Sequence, residues 1–155
     1  MAKDFTMVLL VEQSAEEVYD AVLNVRGWWQ GLYSEDIKGT THKVNDEFTF
    51  RAGNGAHYTE QKLIEAIPNK KVVWRVTHSE LSFVDKPDEW EGSKIIFEID
   101  KEGSKTKIEF THQGLTPKLQ CYESCSNAWS RYLQEKLLSL IHSVQKMHDR
   151  ETLHT

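Results

Sequence analysis

"TPKLQCYESCSNAWSRYLQEKLLSLIHSV", Thr116 to Val144, runs on after Pro117 without a glycine or a second proline. Its apolar residues Tyr122, Cys125, Trp129, Leu133, Leu137, Leu140, Ile141 and Val144 recur at three- and four-residue steps, the spacing of one helix face. Thr116 followed by Pro117 reads as the helix start, with proline at the first helical position. A helix of about thirty residues is roughly 45 Å long. Such a helix, with one apolar stripe, has to lie across a broad apolar surface.

The middle of the chain supplies that surface. "DEFTFRA" places Phe48 and Phe50 on one face, and "HYTEQKLIEAI" reads as a strand ended by the turn chemistry of Pro68 and Asn69. "KVVWRVTH" alternates with Val72, Trp74, Val76 and His78 on one side. "SKIIFEID" does so with Ile95, Phe97 and Ile99, and "TKIEFTH" with Ile108, Phe110 and His112. Alternation over consecutive strands joined by tight turns such as "EGSK" predicts an antiparallel meander with one covered face.

Upstream, "KDFTMVLLVEQ" predicts a strand over Lys3 to Val11. Ser14, with Glu17 three residues on, forms a capping-box signature. A helix from Ala15 to about Asn24 follows, burying Val18, Val22 and Tyr19. The segment "GWWQG" then reads as a short turn or a single helical turn. The predicted fold class is α+β: a curved antiparallel sheet gripping one long C-terminal helix, with small helices after the first strand.

The length of 155 residues suits a single domain, spanning 1–155. A net charge of −5 with no lysine- or arginine-rich block argues against a nucleic-acid partner. The apolar run Met7 to Val11 is too short for a secretory core or a membrane span, so no membrane insertion and a cytoplasmic location are expected. Cys121 and Cys125, four apart on a helix, are poorly placed for a disulfide. They read as reduced thiols, Cys125 as a small hydrophobe of the inner stripe.

Several segments together resemble the START-like (SRPBCC, birch-pollen-allergen-like) superfamily. They are "SAEEVYDAVLNVRGWW", "IEAIPNKKVVWRVT", "DEWEGSKIIFEI", "TKIEFTHQGL" and "CSNAWSRYLQEKLLSL". Within that superfamily they are similar to proteins named after the activator of the Hsp-ninety chaperone ATPase. The resemblance implies a helix-grip fold. It also implies binding of a lipid, sterol, polyketide or hormone-like molecule between sheet and helix, or a cyclase or dehydratase activity on the same scaffold.

Ligand sites are apolar hollows with a few polar groups. The expected wall residues are Trp29, Phe50, Tyr58, Trp74, Phe97, Phe110, His112 and Trp129. Since Trp28 and Trp29 are adjacent, one is expected in the core and the other, Trp29, at the cavity rim. His112 is the polar contact, with Tyr58 as a second option. The acidic loop "DKPDEWEG" reads as a solvated connection. A zinc site from His112, Cys121 and Cys125 matches no recognised spacing, and neither a metal nor a cofactor is expected. The partner is then a small hydrophobic molecule. A chaperone is the second possibility, and the protein is a monomer or homodimer. A third reading, a small enzyme, needs deep polar groups and has only His112, His78 and perhaps Glu60 to draw on.

Overall fold

The computed structural model describes residues 3–143. One seven-stranded antiparallel sheet holds it together, in the order β1-β7-β6-β5-β4-β3-β2. The strands are β1 (Phe5–Val11), β2 (Asp36–Gly39), β3 (Glu47–Ala52), β4 (His57–Ile67), β5 (Lys71–Leu81), β6 (Lys94–Glu102) and β7 (Lys105–Gln113). Two short helices, α1 (Ala15–Leu23) and α2 (Val25–Trp28), separate β1 from β2. The C-terminal helix begins as α3 (Tyr122–Arg131), widens into a π-helical stretch over Tyr132–Leu137, and continues as α-helix over 138–143. The architecture is the α+β helix-grip: a curved open sheet whose covered face receives the C-terminal helix. Val144, expected on the helix stripe, lies outside the described residues.

The predicted inner positions are buried: Phe48, Phe50, Val72, Trp74, Val76, Ile95, Phe97, Ile99, Ile108, Phe110 and His112. The exception is His78, and the backbone explains it. Opposite β4, Glu60 pairs with His78 but Gln61 pairs with Val76, so Thr77 is an extra residue, a β-bulge. The bulge shifts the alternation by one residue. Ser79 and Leu81 turn inward, while His78 turns outward between Glu80 and Glu91, at 3.5 and 3.4 Å. The four-residue strand β2 is too short to show in the alternation pattern.

The C-terminal helix starts later than the Thr116–Pro117 signal suggests. Residues 117–121 form turns, and α-helix begins at Tyr122. Glu89, from the loop between β5 and β6, supplies the cap: its carboxylate accepts from the backbone N–H groups of Gln120 and Cys121 at 3.3 and 2.9 Å. A carboxylate there satisfies donors that a helix start leaves open and sits favourably at the positive end of the helix dipole. The acidic loop is therefore a structural clamp and not only a solvated connection.

Ser14 caps α1 as expected, its Oγ accepting from Glu17 N–H at 3.1 Å. The tandem tryptophans correct the expectation of one core and one rim residue. Trp28 is fully buried and Trp29 is 2% exposed, with rings 5.8 Å apart and 7° from parallel. Neighbouring side chains point to opposite faces on a strand, but in a helical turn they diverge by only about 100°. At the end of α2 both rings can therefore enter the core. Trp28 donates its indole N–H to the Val22 carbonyl, pinning α2 onto α1. Gly27 permits this approach: a Cβ there would sit 2.9 Å from the Leu140 side chain of the C-terminal helix.

Candidate functional site

Beyond Arg75, β5 parts from β6, and the loop over 82–93 fills the gap. At this end of the sheet four parts of the chain meet: the β3–β4 hairpin, the β5–β6 loop, the segment after α2, and α3. They leave a cavity of about 260 Å³. Trp29 and Tyr33 wall it from the segment after α2; Phe50, Ala52, Gly53, Ala56 and His57 from the hairpin; Phe83 and Trp90 from the loop. The helix contributes Ser124, Cys125, Ala128, Trp129 and Tyr132. The exposed rings of Tyr33 and Phe83 mark the mouth. None of these fourteen residues is an Asp, Glu, Lys or Arg, so the hollow is suited to an uncharged guest.

The wall is a continuous aromatic assembly. Trp29 stacks on Phe50 at 4.3 Å and lies 5.0 Å from Trp129; Trp90 and Trp129 are 6.2 Å apart and nearly parallel. Small residues on the facing helix, Ser124 and Ala128, keep the space from filling.

The segment after α2 is tied to the helix by one carboxylate. Glu35 accepts from the N–H groups of Gly31, Leu32 and Tyr33 and from the Tyr132 hydroxyl. Burial opposes ionisation of Glu35, but these hydrogen bonds outweigh it and hold its pKa below the usual carboxylate value. Gly31 has φ +93°, the left-handed region that glycine adopts freely.

Of the eight expected wall residues, Trp29, Phe50 and Trp129 line the cavity. Trp74, Phe97 and Phe110 lie beneath it in the core; Trp74 packs edge-on against Phe48 and Phe97. Tyr58 faces the opposite side of the sheet, under the Arg51 guanidinium and donating to Glu60 at 2.7 Å. Glu60 therefore shares that outer face. Trp29, expected at the rim, is instead inner wall. The wall also takes in Tyr33, His57, Trp90, Cys125 and Tyr132; Trp90 sits in an acidic loop, and His57 at a strand start carries no alternation signal.

His112 is buried directly behind the wall, and its role can be read from its partners. The Trp129 indole N–H donates to His112 Nδ1 at 3.0 Å. An indole N–H only donates, so Nδ1 carries the lone pair. The proton of the neutral ring is then on Nε2, which donates to Ser93 Oγ at 2.9 Å; Ser93 donates on to the Trp90 carbonyl at 2.6 Å. Both nitrogens are committed to protein partners, which leaves neither free to meet a ligand or a metal. His112 ties β7, the β5–β6 loop and the helix together. Cys121 and Cys125 are both free thiols and buried. Cys121 Sγ accepts from the Trp90 indole N–H at 3.1 Å. The adjacent Cys125 thiol, and then burial, push the Cys121 pKa up.

The comparisons with known proteins bear on this geometry. A family model described as activator of Hsp90 ATPase homolog 1-like protein matches residues 12–142. The chain belongs to this family. No curated protein matches the sequence significantly. Among solved structures, the Aha1 dimer from Colwellia psychrerythraea is 24% identical, with a TM-score of 0.67 over 86% of this chain and 92% of that one. A protein from Mesorhizobium loti is 18% identical, with a TM-score of 0.65 over 90% and 98% of the two chains. A protein from Arthrobacter aurescens is 7% identical, with a TM-score of 0.69 over 92% and 91%. At these identities the likeness is one of fold. Among the described residues no helix is long and apolar enough to cross a membrane.

In this family member two histidines, His112 fully buried and His57 half-buried among aromatic rings, make stability depend on pH. Burial lowers the His57 pKa to about 4; burial, then the nearby His57, lowers that of His112 to about 3. In the unfolded chain both titrate near their ordinary value of 6.5. Between there and the folded values the unfolded state binds more protons, so stability falls as pH falls through that window. Each histidine adds a slope of up to about 1.4 kcal/mol per pH unit. Urea midpoints measured at pH 7, 6 and 5 are expected to decline, and a flat series would contradict two histidines held neutral in the fold.

Proposed function

We propose that the protein is a non-enzymatic binder of a small, mostly apolar molecule, held between the sheet and the C-terminal helix. Residues 1–155 would act as one START-like domain. The observation that carries the reading is the uncharged, aromatic-walled cavity of about 260 Å³. An apolar cavity of about 150 Å³ accommodates benzene. In proportion, this one suits roughly ten non-hydrogen atoms, a bicyclic or substituted single ring. That is below the size of a sterol or a diacyl lipid. The free cysteines fit a reducing, cytoplasmic setting.

Because Trp29, Trp90 and Trp129 all line the cavity, occupancy should quench or shift tryptophan emission. Titration with a panel of neutral ten-atom aromatic compounds is expected to give saturable changes at micromolar to sub-millimolar concentrations. A panel without any saturable response would count against the reading.

The family description favours a second reading, an interaction module that stimulates a chaperone ATPase. It would act through the outer surface and would leave the cavity without a role. A rise in the ATPase rate of a purified Hsp90-type chaperone, insensitive to changes in the cavity wall, separates it from the first.

A further inference from the structure

The two edges of the sheet differ. At the β2 edge the Arg26 guanidinium donates to the carbonyls of Ile37 and Gly39 at 3.2 and 2.9 Å, covering acceptors that this four-residue strand leaves open. The β1 edge has no such cover among the described residues. Phe5 N–H bonds to the Leu115 carbonyl, on the β7 side. Backbone groups alternate in direction along an antiparallel strand, so those of Thr6, Val8 and Leu10 point away from β7, to the open edge. Among the described residues no backbone group outside the sheet ladder bonds them. Exposed edges are usually shortened, charged, bulged or broken by proline. β1 is seven residues long, FTMVLLV, with no charge and no proline, and its register with β7 runs without a bulge. On its outer face Val8 and Leu10 are 53% and 51% exposed.

We infer that β1 is a dimer interface, pairing antiparallel with β1 of a second copy of this chain about a two-fold axis, so that the two sheets become one. A strand that pairs with itself sets its own residues opposite one another, and any charge near its centre would meet its like; β1 carries none. A two-fold centred on Val8 sets Val8 opposite Val8 and Thr6 opposite Leu10. Every outward N–H and C=O of these three residues then meets its complement, and the exposed apolar side chains shield one another from water. Beyond the strand ends this register brings Asp4 towards Glu12, but Asp4 turns back to accept from Gly114 N–H at 2.9 Å. The nearest charges on the outer face, Lys107 and Glu109 of β7, pair with each other at 3.8 Å, so this edge selects neither an acidic nor a basic peptide. The assembly also closes. With the β2 edge covered by Arg26, the pairing is isologous and stops at two chains.

The test is sedimentation velocity on the full chain in reducing buffer, from about 1 to about 300 μM, a range that brackets the affinity of a small interface. The wild type is expected to pass from one chain to two, with a dissociation constant on the order of 10 μM. Val8→Glu puts like charges on the two-fold, beside Glu109, and is expected to weaken association at least about 100-fold while its melting curve still shows a folded chain. Ile64→Glu, on β4 and 37% exposed, alters apolar surface away from the edge and is expected to leave association unchanged. Amide exchange of the wild type at the two ends of the concentration range reads the same edge without a variant: Thr6, Val8 and Leu10 should gain protection on association. A dimer that survives Val8→Glu at full affinity, or whose edge amides gain no protection, would overturn the inference. So would a wild type that stays single at the top of the range. Edge amides that exchange freely there would leave the edge to a different partner, and amides already protected would assign it to residues 144–155.

Discussion

Trp129→Ala is expected to cost on the order of 5 kcal/mol in folding stability. The ring is 2% exposed and sits at the junction of everything that shapes the site. It lies 4.7 Å from Phe110, 5.0 Å from Trp29 and 6.2 Å from Trp90, joining sheet, α2, loop and helix. Truncating a buried tryptophan typically costs about 3–5 kcal/mol through lost burial and the space left behind. The substitution also removes the donor to His112 Nδ1, leaving a buried acceptor unpaired at a further ~1–3 kcal/mol. Domains of this size hold only about 5–15 kcal/mol in total. With about 2–4 °C per kcal/mol, the melting temperature should fall by roughly 10–20 °C. Trp129→Phe retains most of the packing and loses the N–H, so its cost should be about 1–3 kcal/mol. A loss below about 2 kcal/mol for the alanine variant would show that the ring is not the keystone of this assembly.

The second large effect concerns binding. Ala128 lies on the helix wall of the cavity and is half-buried. Its methyl is one reason that the space stays open. Ala128→Trp introduces an indole of about the size that the cavity admits, by the same benzene-based measure. Overpacking costs are typically about 1–3 kcal/mol, so the fold should survive. Binding of a neutral aromatic compound of about ten non-hydrogen atoms should weaken by at least about 100-fold, beyond detection in calorimetry. Retained affinity in a folded Ala128→Trp would place the ligand elsewhere on the molecule.

The fold was legible because burial imposes its periods on the sequence. Phe48 and Phe50, or Ile108, Phe110 and His112, alternate because one face of their strand is covered. Cys125, Trp129, Leu133 and Leu137 follow the helix stripe for the same reason. The site was legible where it coincides with these patterns, at Phe50 and Trp129, and at Trp29, one of two adjacent bulky rings in a turn segment. Where the pattern breaks, chemistry depends on contacts between distant segments. The bulge at Thr77 turned His78 outward, and no local residue signals that extra position. The helix start was moved by Glu89, thirty-one residues upstream of Gln120, which a local capping rule does not see. Trp90 looked solvated among acidic neighbours, yet Glu89 and Glu91 use their charge to bind backbone N–H groups and His78 while the ring turns inward. The alternation alone makes His112 look like a ligand contact, because a polar side chain on an apolar face resembles one. Its protein partners, Trp129 and Ser93, come from other elements and became visible only in three dimensions.

Xenon enters dry apolar cavities and is visible in diffraction. A crystal of the protein pressurised with the gas should show xenon among Trp29, Phe50, Trp90 and Trp129, with the wall side chains unmoved. A pressurised crystal with no xenon there, and with those rings collapsed together across the gap, would contradict a ligand cavity between sheet and helix.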